Sequence, residues 1–195
     1  MDPAHMDKSL ARRVREPAEG RSMPVINDLG QLRADLERRA STFAARALEL
    51  FSGEIGNLDQ QMKLLQQFRS QSYELLNQLQ HEFLIIRALD WLKERPAYGR
   101  VTQWTWHPTS TGTAIEPDLL GCRGEVALIS AEITTSANPD GVIDQRMRRT
   151  LHKLANMPGE RFYFVASATM AARATTKVGK ANYPITVVNL NSDMA

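Results

Sequence analysis

The apolar residues change period at Pro96. Before it they recur every three or four positions, as on one face of a helix; after it they alternate, as on a half-buried strand. A chain with that switch has to pack helices against a sheet, because neither part buries its apolar side alone. On the helical side, residues 29–51 carry Leu29, Leu32, Leu36, Phe43, Ala47 and Leu50 in one stripe, which Asn27 or Asp28 can cap and which Gly53 and Gly56 interrupt. A second helix over 58–95 carries Leu58, Met62, Leu65, Leu76, Leu79, Phe83 and Ile86, broken in the middle by Arg69 and Ser72. Two striped helices in succession predict an antiparallel hairpin, or a surface that pairs with a second copy of the chain. From Phe83 to Leu89 the helix is apolar on more than one face, so its last part should be buried. Pro96 stops it.

Beyond Pro96 the pattern predicts strands over 100–107, 113–120 and 125–135, with a turn at 121–124 joining the last two as a hairpin. A loop over 136–141 leads to an amphipathic helix over 142–157, whose core side is Ile143, Met147, Leu151 and Leu154. An apolar strand over 161–166, a helix over 168–180 and a strand over 185–190 follow. This order gives an α/β fold: a mixed central sheet flanked by helices, with an N-terminal helical hairpin. Three regions are expected: a flexible arm over 1–27 with at most one short helix near 8–14, a helical, dimerising region over 28–79, and an α/β domain over 80–195.

The formal net charge is +2, which by itself argues for no particular partner. Its distribution is uneven. Between 145 and 180 stand Arg146, Arg148, Arg149, Lys153, Arg161, Arg173, Lys177 and Lys180 against a single acid, Glu160. Such a run is either a basic face for an anionic partner or a set of solvated helix faces. A single cysteine, Cys122, excludes an internal disulfide and a cysteine-based zinc cluster, and its place in the turn makes it incidental. No run reaches the length of a membrane span and no apolar signal core opens the chain, so a cytoplasmic protein without membrane contact is expected.

The strand acids carry the chemistry. Residues two apart on a strand share a face. Glu116 and Asp118 should therefore project opposite Ile115, Pro117 and Leu119, and Ser130, Glu132 and Thr134 opposite Ile129, Ala131 and Ile133. In a hairpin, Asp118 and Glu132 converge. Acids inside apolar strands are costly unless something offsets their desolvation, and a hard divalent cation does so. Glu82, in the most apolar part of the long helix, offers a further carboxylate. Gln145, Arg146 and Arg149 in the first turns of the following helix could reach a phosphate near the strand end. Trp104 and Trp106 share a strand face and read as packing groups. His81, His107 and His152 have no partner at metal or triad spacing, and Ser130 has no evident base.

With Glu82 in the leading helix, Glu116-Pro117-Asp118 on the second strand, Glu132-Ile133-Thr134 on the third and the basic helix and apolar strand behind them, the chain over about 80–190 resembles the PD-(D/E)XK nuclease superfamily. The resemblance implies a restriction-endonuclease-like fold and metal-dependent hydrolysis of DNA. Asp118 and Glu132 would hold Mg²⁺ or Mn²⁺, with the Ile133 carbonyl as an extra ligand and Glu82 holding a water or a second ion. Arg146, Arg149, Lys153, Arg173 and Lys177 would bind the DNA backbone. The family pattern expects a lysine two residues after the second acid, where this chain has Thr134. A hydroxyl has no charge to replace it. Either Gln145, Arg146, Arg149 or Lys153 takes that part, or the chain is a non-catalytic nuclease-like protein for DNA binding or assembly.

Overall fold

The computed structural model describes residues 23–52, 56–107 and 116–191. The arm expected over 1–27, up to residue 22, and the start of the strand expected at 113 lie outside these residues. The last residues of that arm are structured. Ile26 N–H donates to the Trp104 carbonyl (2.8 Å) and Trp106 N–H to the Pro24 carbonyl (3.1 Å), so this segment covers a strand edge that would otherwise present open backbone groups.

Helix α1 spans Leu29–Phe51, and the Asp28 carboxylate caps it by accepting from Gln31 N–H. Helix α2 spans Leu58–Lys93 behind a reciprocal capping box of Asn57 and Gln60. It gives way to a single 3-10 turn at Pro96–Tyr98. Strands β1 (Gln103–Trp106), β2 (Leu119–Arg123) and β3 (Val126–Thr134) follow, then α3 (Gly141–Ala155), β4 (Glu160–Val165), α4 (Ala168–Ala181) and β5 (Ile185–Asn189). The expected turn at 121–124 is shorter than anticipated. β2 runs on through Cys122 to Arg123, with an irregularity between Gly121 and Cys122, and only Gly124 and Glu125 make the turn. β2 also begins later than expected, leaving Glu116 and Asp118 in the segment just before it.

The sheet is mixed and open, in the order β1-β2-β3-β4-β5. The first three strands are antiparallel, and β4 and β5 run parallel to β3 through the crossover helices α3 and α4. Alternation along each strand sorts the two cores. Ile129, Ala131, Ile133, Phe162, Phe164 and Val188 meet Leu84, Ile85, Ala88, Leu89 and Leu92 of α2, with Trp104 and Trp106 in the same layer. Tyr163, Val165 and Ile185 face the other way, onto Met147, Leu151 and Leu154 of α3 and Met170 and Ala174 of α4.

Helix α2 divides its circumference among three environments. Residues 81, 85, 88 and 92 face the sheet, whereas Leu75, Leu79 and Ile86 pack on Leu29, Leu32, Leu36 and Phe43 of α1. Phe68 continues that contact with Phe43 and Phe51. The single stripe expected on this helix is thus two. Leu79 and Ile86 belong to the hairpin, as do the α1 residues Leu32, Leu36 and Phe43, while Leu58, Met62, Leu65, Leu76 and Phe83 remain exposed.

Gly159 turns α3 into β4 with φ 75°, and a Cβ there would lie 2.4 Å from the Leu128 backbone carbonyl. Gly141 also has a positive φ, 45°, but faces open space. Gly141→Ala should therefore cost only the left-handed backbone penalty of about 1–2 kcal/mol. Gly159→Ala adds a clash with sheet backbone and should cost about 3 kcal/mol or more. Urea unfolding of the two variants measures the difference; equal losses would mean that the Leu128 contact is relaxed at no cost.

Candidate functional site

The last register pair of the β2–β3 ladder toward the open end is Leu119 with Ala131, so one step further Asp118 comes beside Glu132. Asp118 is not itself in the strand. Its carboxylate accepts the Ile133 N–H at 2.7 Å, and its backbone carbonyl accepts the His107 N–H at 2.9 Å, so it is fixed from β3 on one side and from the end of β1 on the other. Glu132 lies on the α3 side of β3, its side chain 7% exposed. Ser130 on the same face donates to the Pro158 carbonyl at 2.8 Å.

Lys153, in the last turn of α3, brings its ammonium 2.6 Å from Glu132 Oε1 and 3.3 Å from the Glu116 carbonyl. Burial raises the Glu132 carboxyl to about 8; the charge of Asp118 adds to the rise and Lys153 offsets part of it. Tyr163 stands opposite Glu132 in the β3–β4 register. Burial holds its phenol above the usual range. Thr134, which occupies the place of the expected lysine, accepts the Ser136 N–H on its Oγ1 at 3.3 Å. Glu116 is half-exposed, its carboxylate 3.3 Å from His107 Nε2.

Two residues of α2 exchange the parts expected of them. Glu82 points away from the sheet, onto α1. It is 1% exposed, and both carboxylate oxygens are held by the Arg39 guanidinium, one of them at 3.0 Å, with Gln78 as a further donor. The expectation that Glu82 joins the metal site is therefore corrected: its charge is already met inside the hairpin. Its neighbour His81, a turn of about 100° around the helix, is the residue that faces the sheet. It is 3% exposed, with Nε2 3.5 Å from Asp118 Oδ2 and neither ring nitrogen hydrogen-bonded. The helical phase of Ile85, Ala88 and Leu92 places it there, a signal already present in the sequence.

The basic residues of α3 separate in the same way. Arg146, Arg149 and Lys153 fall on one helical stripe, with Arg146 and Arg149 exposed. Arg173 and Lys177, expected on DNA, converge instead on Asp144 at 2.8 and 2.9 Å. That pairing holds the Asp144 carboxyl well below its ordinary range. Gln145 is exposed in the first turns of α3, on an open cleft of about 640 Å³ that Arg148, Arg149 and Arg173 also line.

Among the described residues no group of three or more His, Cys, Asp or Glu side chains is arranged to hold a metal ion. The donor set Asp118 and Glu132 is nevertheless of the right kind for a hard divalent cation, which asks for one or two carboxylates and takes its other ligands from water and phosphate. Glu132 Oε1 is buried and already faces the Lys153 ammonium at 2.6 Å, so an ion held there would share that oxygen with Lys153. Comparison with known proteins finds no matching family model, no matching curated protein and no matching solved structure.

Two outcomes follow from this electrostatics. A glutamate raised in the folded chain keeps its proton there after the unfolded chain has released its own. Its stabilisation is complete below the ordinary glutamate value of about 4.5 and is lost as pH rises through about 8. Glu132→Gln should flatten the pH dependence of the urea midpoint across that window; an unchanged slope would place the titration elsewhere. Separately, Arg39→Ala leaves the buried Glu82 carboxylate unpaired and should lower stability by roughly 2–4 kcal/mol. The double variant Arg39→Leu/Glu82→Leu should recover most of the loss in the same melts.

Proposed function

We propose that residues 80–195 form a restriction-endonuclease-like domain that hydrolyses DNA phosphodiesters with Mg²⁺ or Mn²⁺. The reading is supported by the order of helix, three antiparallel strands, helix and parallel strand, and by Asp118 and Glu132 standing side by side at the open end of the β2–β3 hairpin. The observation that carries it is Lys153. Its ammonium, delivered from α3, reaches the second acid at 2.6 Å, and so supplies the positive charge that Thr134 lacks.

Asp118 and Glu132 would hold the cation. When bound, it polarises a phosphoryl oxygen and makes water acidic enough to attack at neutral pH. The chain's own residues do the rest. The Ile133 N–H and the sheet fix Asp118, so its orientation costs no reorganisation. Lys153 presents ammonium protons where negative charge builds on the phosphate. Arg146 and Arg149 continue the positive stripe from Lys153 toward the start of α3 and would bind flanking phosphates, with an affinity that falls as salt rises. Arg173 and Lys177 share their charge with Asp144 and contribute less.

The same ion pair favours a second reading. A Glu132 already neutralised by Lys153 needs no cation, and the domain would then be a nuclease-like DNA-binding or assembly protein. Plasmid incubated with the protein and Mg²⁺ or Mn²⁺ separates the two. The enzyme reading expects metal-dependent cutting that Asp118→Ala and Glu132→Ala abolish and Lys153→Ala slows about 10²–10³-fold. Adding Thr134→Lys to Lys153→Ala should restore much of the rate, since the new lysine stands on the Glu132 face of β3. DNA retention without cutting, unaffected by Asp118→Ala, supports the second reading; cutting that survives Asp118→Ala overturns the site.

A further inference from the structure

The half of α2 that extends beyond the sheet keeps one apolar line in solvent. Leu58, Met62, Leu65, Leu76 and Phe83 are 67%, 45%, 48%, 37% and 50% exposed, and Arg69 and Tyr73 lie on the same line between them. The line is not simply what the hairpin left over. The α1-facing side of these turns is filled by Phe68, Ser72 and Leu75, and the remaining flank is polar, with Asp59, Lys63, Gln66, Ser70 and Glu74 exposed. An apolar stripe about 38 Å long, bordered by polar residues, marks an interaction surface.

We infer that this stripe pairs α2 of one chain antiparallel with α2 of a second copy, about a two-fold axis between residues 70 and 71. The stripe reads nearly the same in both directions. Turned end for end on itself, it sets Leu58 against Phe83, Leu65 against Leu76, and Met62 beside Gln80. At the centre Arg69 of each copy falls opposite Ser72 of the other, one residue from its Tyr73, within reach of the guanidinium. A two-fold interface demands this kind of self-complementarity. The central pair also decides the direction. A parallel pairing would stack Arg69 on Arg69, a like-charge contact, whereas the antiparallel one gives two guanidinium–aromatic contacts related by symmetry. The α1 helices would flank the pair, forming a four-helix arrangement. The inference is independent of the catalytic reading, because no residue of the candidate site takes part.

Light scattering of the full chain at tens of micromolar should return twice the single-chain mass. Leu65→Glu/Leu76→Glu, which alters only exposed positions, should weaken the dimer about a thousandfold or more while leaving the circular dichroism unchanged. Direction is read with Cys122→Ser chains carrying either Leu65→Cys or Leu76→Cys and a short bis-maleimide. Cross-linking in the mixture of the two, and in neither alone, is expected. A single-chain mass for the parent protein, an unaltered mass for the double glutamate variant, or cross-linking of Leu65→Cys by itself would each overturn the inference.

Discussion

A carboxylate removed from water has to be compensated, and Glu132 is the residue around which this domain is arranged. β3 is the central strand, so an acid on it has sheet on both sides and a helix above. What meets it comes from distant parts of the chain: Lys153 from α3, Tyr163 from β4, and Asp118 from the approach to β2. Asp118 adds repulsion rather than relief. Two acids held together with only one ammonium beside them repel each other, and the proton that Glu132 keeps well above the ordinary carboxylate range is the result. Under the proposed reading, a hard cation would take the place of that proton.

The long helix α2 sets the boundaries of that site. One face packs on the sheet and delivers His81; another packs on α1 and holds Glu82 against Arg39. The two residues are adjacent in sequence, yet one stands beside Asp118 and the other is sealed in a different interface. An ion pair with one partner fully buried is strongly coupled to its surroundings, because removal of either side strands a charge. The hairpin is therefore tied to the α/β domain by the same helix turn that closes the site, and the two regions expected as separate units share one continuous element.

The sequence patterns that proved legible are those governed by local periodicity. The bounds of α1, the apolar face of β3, the core side of α3 and the order of elements all follow from spacing alone, whereas Asp118, expected on the second strand, stands just before it. Less legible was anything decided between elements. The stripe through Leu58, Leu79 and Ile86 is one line by coarse spacing, but a drift of a few tens of degrees sends Leu79 to α1 and Leu58 to solvent. The place of His81 was not legible from spacing, because its near neighbour is Asp118, at 3.5 Å across the sheet edge. Arg173 and Lys177 counted as free positive charge until α3 and α4 brought them both to Asp144.

The contact between Lys153 and Glu132 shows why spacing underdetermines a charged site. Transition-state stabilisation depends on where a charge stands, not on which strand position carries it. On β3, the position two beyond Glu132 projects to the same face, so a lysine there would sit near the acid at the cost of a long, flexible stem beside Tyr163. From α3, Lys153 reaches Glu132 Oε1 while its ammonium is also bound to the Glu116 carbonyl. The charge is thereby tied to the segment that carries Asp118. A single ammonium that links α3, the second acid and the approach to the first one makes the positions of all three interdependent, which a lysine confined to β3 would not do.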